Sequence, residues 1–351
     1  MHPLTYGDIK TGADRIRGLV RPVTVAQLDP GSIVTAPVDP LDDRPDTPAR
    51  VYLALEFMQH TGSFKARGAA NFLVSHHEAG TLPEAGVAIA SGGNAGLACA
   101  WAARMLNATA TVFLPDTAPS VKVDKLRDLG AAVYLIPGEY ADAARACEVF
   151  AAESGALQSH AYDHPLIAAG AGTLVDEIRE QIPDLDTIVV AVGGGGLFAG
   201  VAIAAQAHGI RTIAVEPENC RALNAAIQVG GPVDVTVDSI AADSLGARRT
   251  SELALNAYQA SHAIDSRSAA HSILVPDSEI VRARQLLWSH RRLLVEHGAA
   301  TALAGLLAEP SYRVRDGITR TDLTPVGGYR PQPGETVCVV LCGANTDPKT
   351  I

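Results

Sequence analysis

The stretch Thr61-Gly62-Ser63-Phe64-Lys65-Ala66-Arg67-Gly68-Ala69 decides the fold, because it follows the apolar run 51–55 and sets one lysine where a strand gives way to a helix. Amide groups at the start of a helix bind anions and disfavour a positive charge, so this placement favours a neutral, nucleophilic amine at Lys65. Such an amine forms a Schiff base with an aldehyde. Taken alone, such a stretch is more often a solvated lysine beside a turn, so the prediction of a reactive lysine depends on three further segments.

Short apolar runs alternate with helical patterns along most of the chain. Six runs are predicted to be strands buried on both faces, at residues 86–90, 110–114, 132–136, 187–192, 212–215 and 337–341. Helical spacing of apolar residues covers 94–106, 120–129, 141–153, 170–181 and 197–208. This alternation predicts an α/β fold with mostly parallel sheets, arranged as two three-layer α/β/α domains.

The first three of these strands, with their helices, are enough for a small domain. We therefore predict a small mobile domain at residues 80–160 and a large domain formed by residues 1–75 and 165–351. Closure of the small domain on a substrate is the motion expected of a two-domain cleft.

The composition of the 351 residues narrows the class of protein. A formal net charge of −10 without a basic run argues against a nucleic-acid partner. No apolar stretch reaches membrane-spanning length, and the N-terminus lacks the pattern of a signal peptide. The five cysteines are scattered without Cys-x-x-Cys spacing, which is typical of reduced thiols, so a cytoplasmic protein without a membrane partner is expected.

Two glycine-rich segments each lie between a predicted strand and a helix. The first, Ala90-Ser91-Gly92-Gly93-Asn94-Ala95-Gly96, offers free helix amides to a carboxylate, although an ordinary helix cap by Ser91 or Asn94 would give the same pattern. The second contains four successive glycines, which a structural turn rarely needs. Gly193, Gly194, Gly195 and Gly196, followed by Leu197, match neither a dinucleotide motif nor a Walker loop and suit the phosphate of a small cofactor.

The last segment, Leu341-Cys342-Gly343-Ala344-Asn345, lies at the carboxyl end of the final predicted strand. Ligands bind at that edge of a parallel sheet. Cys342 is either a small buried residue or a thiol that faces a heterocyclic nitrogen.

These four segments, in this order, resemble the fold-type II pyridoxal-phosphate enzymes (tryptophan synthase β-like), and specifically the serine/threonine dehydratase branch that includes serine racemase. The resemblance runs from about Val51 to Asn345. It implies that Lys65 carries pyridoxal 5'-phosphate as a Schiff base and acts as the catalytic residue. It assigns the remaining contacts as follows: Phe64 packs on the ring, Asn94 binds the phenolate oxygen, residues 193–197 hold the phosphate, Cys342 faces the pyridine nitrogen, and Ser91 with Asn94 binds the substrate carboxylate.

Two departures narrow the expected reaction. Serine racemase has a serine where this chain has Gly92, and glycine cannot transfer a proton, so racemisation is not expected. Sulfhydrylases carry an aspartate after the Schiff-base lysine, whereas this chain has Ala66, which favours the dehydratase branch.

The resemblance therefore implies a lyase that deaminates L-threonine or L-serine, by β-elimination of water, to 2-oxobutyrate or pyruvate and ammonia. Two alternatives stay open within the fold: a β-replacement synthase that captures the same aminoacrylate, and a dehydratase for another β-hydroxy amino acid. A binding protein that retains the pocket without turnover is disfavoured, because it would not need the lysine.

Two glutamates are further candidates for the site, one as a metal ligand and one as a residue near the cofactor. Glu216 matches one carboxylate of the metal site in serine racemase, but Ala222 replaces the second, so a structural glutamate is an equal alternative and a monovalent or divalent cation stays open. Glu296 matches a family glutamate near the cofactor, with a helix cap as the alternative. Family members are typically homodimers, which is the state expected here.

Overall fold

A computed structural model describes residues 3–29, 49–264, 268–308, 311–313, 324–326 and 328–351. The strands are β1 (Val25–Gln27), β2 (Arg50–Ala54), β3 (Val87–Ala90), β4 (Ala110–Pro115), β5 (Ala132–Ile136), β6 (Leu157–Gln158), β7 (Thr187–Ala191), β8 (Arg211–Pro217), β9 (His271–Val275), β10 (Ser311–Arg313), β11 (Thr324–Val326) and β12 (Thr336–Val340). The helices are α1 (Tyr6–Ile16), α2 (Lys65–Glu78), α3 (Asn94–Met105), α4 (Ser120–Asp128), α5 (Tyr140–Ser154), α6 (Pro165–Gly172), α7 (Leu174–Gln181), α8 (Gly196–Ala207), α9 (Ala222–Val229), α10 (Ala242–Leu245), α11 (Glu252–Ile264), α12 (Asp277–Arg291) and α13 (His297–Leu307).

The strands form two sheets that are mostly parallel, so the predicted α/β fold is confirmed. The larger sheet has the order β1-β2-β12-β7-β8-β9-β11-β10, and only its outermost pairs, β1/β2 and β10/β11, are antiparallel. Its central strands β7 and β12 are buried along their whole length, because helices cover both faces of a parallel sheet. Residues 30–48, within the predicted large domain, lie outside the described residues.

The smaller sheet has the order β5-β4-β3-β6 and is parallel throughout. Alternate residues of its central strands enter different cores: Val112 and Leu114 pack with α2, α3 and α4, whereas Phe113 packs with α5. This alternation is the three-layer arrangement predicted from the sequence. No helix among the described residues is long and apolar enough to cross a membrane.

Two sequence predictions within these units are wrong. Strand β5 was expected to be buried on both faces, but it is the edge strand of its sheet, and Tyr134 and Leu135 are exposed. The helix predicted at 170–181 begins earlier, at Pro165, and is divided at Thr173. The Thr173 hydroxyl donates to the carbonyl of Gly170 (2.8 Å), a back-bond that bends helices.

The fold brings the sequence motifs to one edge of the larger sheet. Strand β12 lies between β2 and β7, and all three are parallel. Their carboxyl ends therefore meet. Lys65 follows β2, Cys342 follows β12, and the four glycines follow β7. Asn94 reaches this edge from the smaller sheet, at the start of α3.

Helix α2, which begins at Lys65, is fixed by the fully buried side chain of Arg67. Its guanidinium donates to both carboxylate oxygens of Glu56 (2.6 and 3.1 Å), which lies just after β2. It also donates to both oxygens of Glu177 in α7 (2.7 and 2.8 Å) and to the Thr173 hydroxyl (3.1 Å). Burial opposes the charge of Arg67, but the two carboxylates outweigh that effect and raise its pKa.

We predict that Arg67→Met destabilises the protein by about 3–5 kcal/mol, because it leaves the buried Glu56 carboxylate without its partner. The free energy of unfolding, from chemical denaturation, checks this. The double variant Arg67→Met/Glu56→Gln should recover part of the loss, since the buried charge is then absent. As the matched control, Arg17→Met breaks the exposed pair with Asp14 and should change stability little. Equal losses in the two single variants would contradict the assignment.

Candidate active site

Lys65 is held beside the end of β12 by backbone contacts. The Phe64 amide donates to the carbonyl of Cys342 (2.9 Å), and Ser63 forms an isolated bridge with Gly343. Before them, Thr61 has a φ of 60°, in the left-handed region that a β-branched residue rarely adopts. Its carbonyl accepts a hydrogen bond from the Asn345 side chain (2.7 Å), which helps to hold this conformation.

The lysine side chain lies in a half-buried pocket. Its Nζ donates to the carbonyl of Ala161 (2.7 Å) and lies 4.8 Å from the centre of the Phe64 ring. Burial lowers the pKa of Lys65 to about 8, while the negative charge of Glu296 opposes that effect. At pH 7 the neutral fraction of the amine is then about 300 times that of an ordinary lysine. The prediction of a nucleophilic lysine therefore has a physical basis in its surroundings.

Asn94 joins the two sheets through its side chain. Its amide nitrogen donates to both carboxylate oxygens of Glu296 (2.8 and 3.1 Å), and its oxygen accepts from the Asn345 side chain (2.7 Å). The amide is therefore oriented from both ends. A side chain at Gly343 would lie 2.1 Å from a Glu296 oxygen, so only glycine leaves room for this network.

Glu296 is at the N-cap position of α13, but its side chain does not cap the helix. The carboxylate accepts hydrogen bonds from Asn94 instead, so the helix cap considered from the sequence is not formed. Burial raises the pKa of Glu296 to about 7, and the hydrogen bonds from Asn94 oppose that effect. Glu296 and Lys65 therefore both change protonation near neutral pH.

The glycine loop leads directly into α8. Gly195 has a φ of 95°, which disfavours any side chain, and Gly196 is the first residue of the helix. Leu197 is buried in the core of the larger sheet and anchors the loop. The start of α8 presents backbone amides at the sheet edge, where an anion such as a phosphate binds.

The loop before α3 also ends in uncapped amides. The residue at the N-cap is Gly93, and no side chain caps the helix. The Ser91 hydroxyl accepts only a long hydrogen bond from the Gly93 amide (3.4 Å), and Asn94 is turned toward Glu296. The ordinary cap considered from the sequence is therefore not formed, and these amides suit a carboxylate.

Cys342 is buried next to Lys65, and burial raises the pKa of its thiol well above the usual range. The thiol is therefore neutral. A neutral thiol suits a neutral heterocyclic nitrogen, because it cannot balance a positive charge as a carboxylate would.

Glu216 has a structural role. Its side chain is fully buried, and its two oxygens accept hydrogen bonds from the amides of Leu223 and Asn224 (2.8 Å each) at the start of α9. Both oxygens thus accept a backbone hydrogen bond, which is the structural alternative that the sequence left open. The described residues contain no group of three or more His, Cys, Asp or Glu placed to hold a metal ion.

The pocket fits an aldehyde cofactor that carries a phosphate. It combines a lysine of lowered pKa, a glycine loop at a helix start and a neutral thiol. Among the buried side-chain polar atoms of the described residues, three have no hydrogen-bond partner, and two of them are the hydroxyls of Thr61 and Ser63, in the segment that leads to Lys65. Unpaired buried hydroxyls are costly, so their position next to the lysine indicates a site built for a polar ligand.

Some residues of the site were not anticipated from the sequence. Ala161, whose carbonyl accepts from Lys65, lies in the connection from β6 to α6, as does Tyr162, which packs against the glycine loop. Asn345 closes the network with Asn94. The available signals were the aromatic and histidine cluster at 160–164 and the asparagine at the end of the last motif.

Comparisons with known proteins agree on one family. The model of the family described as "Pyridoxal-phosphate dependent enzyme" matches residues 33–319. The chain is 36% identical over 303 residues to an L-threonine ammonia-lyase of Geobacter sulfurreducens, covering 86% of this chain and 68% of that protein. The crystal structure of serine racemase from Dictyostelium discoideum matches with a TM-score of 0.78 and 26% identity, over 98% of this chain and 99% of that one. Threonine deaminase isoform 2 from Solanum lycopersicum matches with a TM-score of 0.72 and 26% identity, over 86% and 77% of the two chains.

We predict that the rate of covalent attachment of pyridoxal phosphate to the apoprotein rises with pH and levels off above about pH 8, because the neutral fraction of Lys65 saturates there. Stopped-flow absorbance across a pH series measures this rate. Glu296→Gln should move the inflection to lower pH, since it removes a negative charge that favours the protonated amine. A rate that climbs steadily to pH 10, as for free lysine, would contradict the lowered pKa.

Proposed function

The chain belongs to the family of pyridoxal-phosphate dependent enzymes, and on that premise we propose that it is a lyase that deaminates L-threonine or L-serine. The reaction eliminates water across the Cα–Cβ bond and releases ammonia, with 2-oxobutyrate or pyruvate as the product. The observation that carries the proposal is the pocket in which Lys65, of lowered pKa, lies with the neutral thiol of Cys342 and with Glu296. The 36% identity to a protein named L-threonine ammonia-lyase supports the substrate class.

The cofactor supplies the electron sink that makes the α-proton of an amino acid removable. Lys65 binds it covalently and then, as a free amine, takes the α-proton as a general base. A pKa of about 8 suits both roles, because the amine is a sufficient base and is partly neutral at physiological pH.

Cys342 influences which reaction follows because its thiol is neutral. A buried neutral thiol gives no support to a positive charge on a neighbouring ring nitrogen. Negative charge then stays nearer to Cα of the substrate, which favours loss of the β-hydroxyl group.

The substrate carboxylate is proposed to bind at the start of α3, to the uncapped amides and to the hydroxyl of Ser91. Asn94 would contact both the oxygen of the bound cofactor and the substrate. It belongs to the smaller sheet unit, whereas its partner Glu296 belongs to the larger one. We propose that residues 80–160 move as a small domain over the large domain of residues 1–75 and 165–351, and that the bond between Asn94 and Glu296 breaks and forms with that motion.

Three further features belong to the same proposal. The protein acts as a homodimer in the cytoplasm, without nucleic-acid or membrane partners, in keeping with its acidic charge and free cysteines. Any cation it uses is bound without the oxygens of Glu216, which are engaged by α9. L-Serine and L-threonine differ by one methyl group, and the wall formed by α10 and the following Gly246 is the proposed determinant of that choice.

The test is an assay of the protein reconstituted with pyridoxal phosphate. L-Threonine should yield 2-oxobutyrate and ammonia in equal amounts, and Lys65→Ala should lower turnover by about a thousandfold or more, since base and attachment point are lost together. An added thiol or amine should leave the yield of oxo acid unchanged. Diversion of product to a thioether or secondary amine would instead establish a β-replacement synthase, and normal turnover in Lys65→Ala would contradict the mechanism.

A further prediction concerns racemisation, the activity in the name of a structural relative. The unmodified protein should not racemise L-serine, because Gly92 carries no acid on the face opposite Lys65. Gly92→Ser should introduce measurable D-serine: its Cβ would meet only the flexible end of Leu114, 2.6 Å away. Chiral chromatography measures the product. Gly92→Ala, which adds the same Cβ without a hydroxyl, is the matched control and should yield none. Racemisation by the unmodified protein at a rate similar to deamination would refute the role given to Gly92.

A further inference from the structure

We infer that Tyr162 is a positioning residue for the cofactor phosphate, acting through the second glycine of the glycine loop. The inference rests on the proposed function, since it concerns the same cofactor. Tyr162 lies in the connection from β6 of the smaller sheet to α6. Its ring is half-buried, and its hydroxyl donates to the carbonyl of Arg249 (3.2 Å).

The ring of Tyr162 lies directly on Gly194. A methyl group added at Gly194 would be 2.3 Å from the ring carbon Cδ1 and 2.4 Å from Cδ2 and Cε1, which is far inside contact distance. The backbone of Gly194, unlike that of Gly195, is outside the left-handed region. Gly194 is therefore glycine because of the aromatic ring, whereas a side chain at Gly195 is disfavoured by its left-handed φ of 95° and by Ala254, 2.4 Å from an added methyl group.

The carbonyl of Gly194 is held as well. The Gly194 carbonyl accepts hydrogen bonds from the Ser251 amide (3.0 Å) and the Thr250 hydroxyl (3.5 Å). In a trans peptide the N–H group points opposite to the carbonyl, so these bonds fix the direction of the Gly195 amide. The ring of Tyr162, which packs against Gly194 at one end of this peptide group, would limit its rotation. An amide that is oriented in advance binds a phosphate without an ordering cost.

The connection that carries Tyr162 also contacts the lysine. The carbonyl of Ala161 accepts from Lys65 Nζ, and the ring of Tyr162 contacts the glycine loop. The neighbouring His160 stabilises this connection, since its Nδ1 accepts from the amides of Tyr162 (3.2 Å) and Asp163 (2.8 Å). Two adjacent residues thus position the two ends of the bound cofactor, the attachment point and the phosphate.

The test compares the affinity of apoprotein variants for pyridoxal phosphate, measured by fluorescence titration, with the thermal unfolding of the same apoproteins. Gly194→Ala should weaken binding about tenfold to a hundredfold, because its methyl group displaces the Tyr162 ring. Tyr162→Ala should weaken binding less, and Tyr162→Phe, which keeps the ring, should retain the affinity of the unmodified protein. The double variant Gly194→Ala/Tyr162→Ala should bind more tightly than Gly194→Ala, since the collision is gone.

Two glycine variants serve as internal controls. A methyl group at Gly196 would lie 2.8 Å from the Tyr162 carbonyl oxygen and 3.0 Å from its Cα and Cβ, atoms that alanine retains. Tyr162→Ala should therefore not rescue Gly196→Ala. Gly231 has no atom within 4 Å of an added methyl group and no left-handed backbone, so Gly231→Ala should bind like the unmodified protein.

The outcomes separate the inference from the proposed function. Absence of pyridoxal-phosphate binding by the unmodified protein would overturn the proposed function itself. Normal binding by the unmodified protein, with no rescue of Gly194→Ala by Tyr162→Ala, would overturn only the inference. So would a Tyr162→Ala variant that unfolds at lower temperature with unchanged affinity, because Tyr162 would then be a structural residue alone.

Discussion

Arg67 lies between Glu56, just after β2, and Glu177 in α7, and its ion pairs hold the start of helix α2 in place. The guanidinium is fully buried and donates to two carboxylates, a hydroxyl and a carbonyl. A buried cation of this kind is tolerated only when its donors are satisfied, so the three segments cannot shift independently. Lys65 is two residues earlier on the same helix, and the geometry of the lysine is therefore set by a network outside the pocket.

The pocket itself combines groups whose pKa values converge on neutrality. Burial lowers the pKa of Lys65 to about 8 and raises that of Glu296 to about 7, so that each exchanges protons near physiological pH. Asn94, at the carboxyl edge of the smaller sheet, donates a hydrogen bond to Glu296 and so connects that sheet to the ionisable groups of the pocket. Buried ionisable groups whose pKa values are shifted toward the working pH are typical of acid–base catalysis. The same groups cost stability, which the Arg67 network and the cores of the two sheets offset.

Much of the site could be predicted because its motifs are contiguous. Each motif can be recognised within ten residues: a lysine at a helix start, a run of four glycines, and a cysteine after the last strand. Parallel strands then bring these motifs together, because the carboxyl ends of the strands lie at one edge of the sheet. The Asn94–Asn345 bond joins positions 251 apart in the sequence, and a choice of partner over that distance depends on tertiary packing. The buried pairing of Arg67 with Glu56 and Glu177 was missed for the same reason. Strand β5 was assigned to the interior because its apolar content does not distinguish an edge strand from a central one.

In the proposed mechanism one amine, that of Lys65, binds the cofactor covalently. Peptide mapping by mass spectrometry tests this attachment most directly. The protein is loaded with pyridoxal phosphate, reduced with borohydride and digested. The account predicts that the added pyridoxyl phosphate group lies on Lys65 in a one-to-one ratio with the protein. Modification spread over the other lysines of the chain, or confined to one of them, would contradict the account.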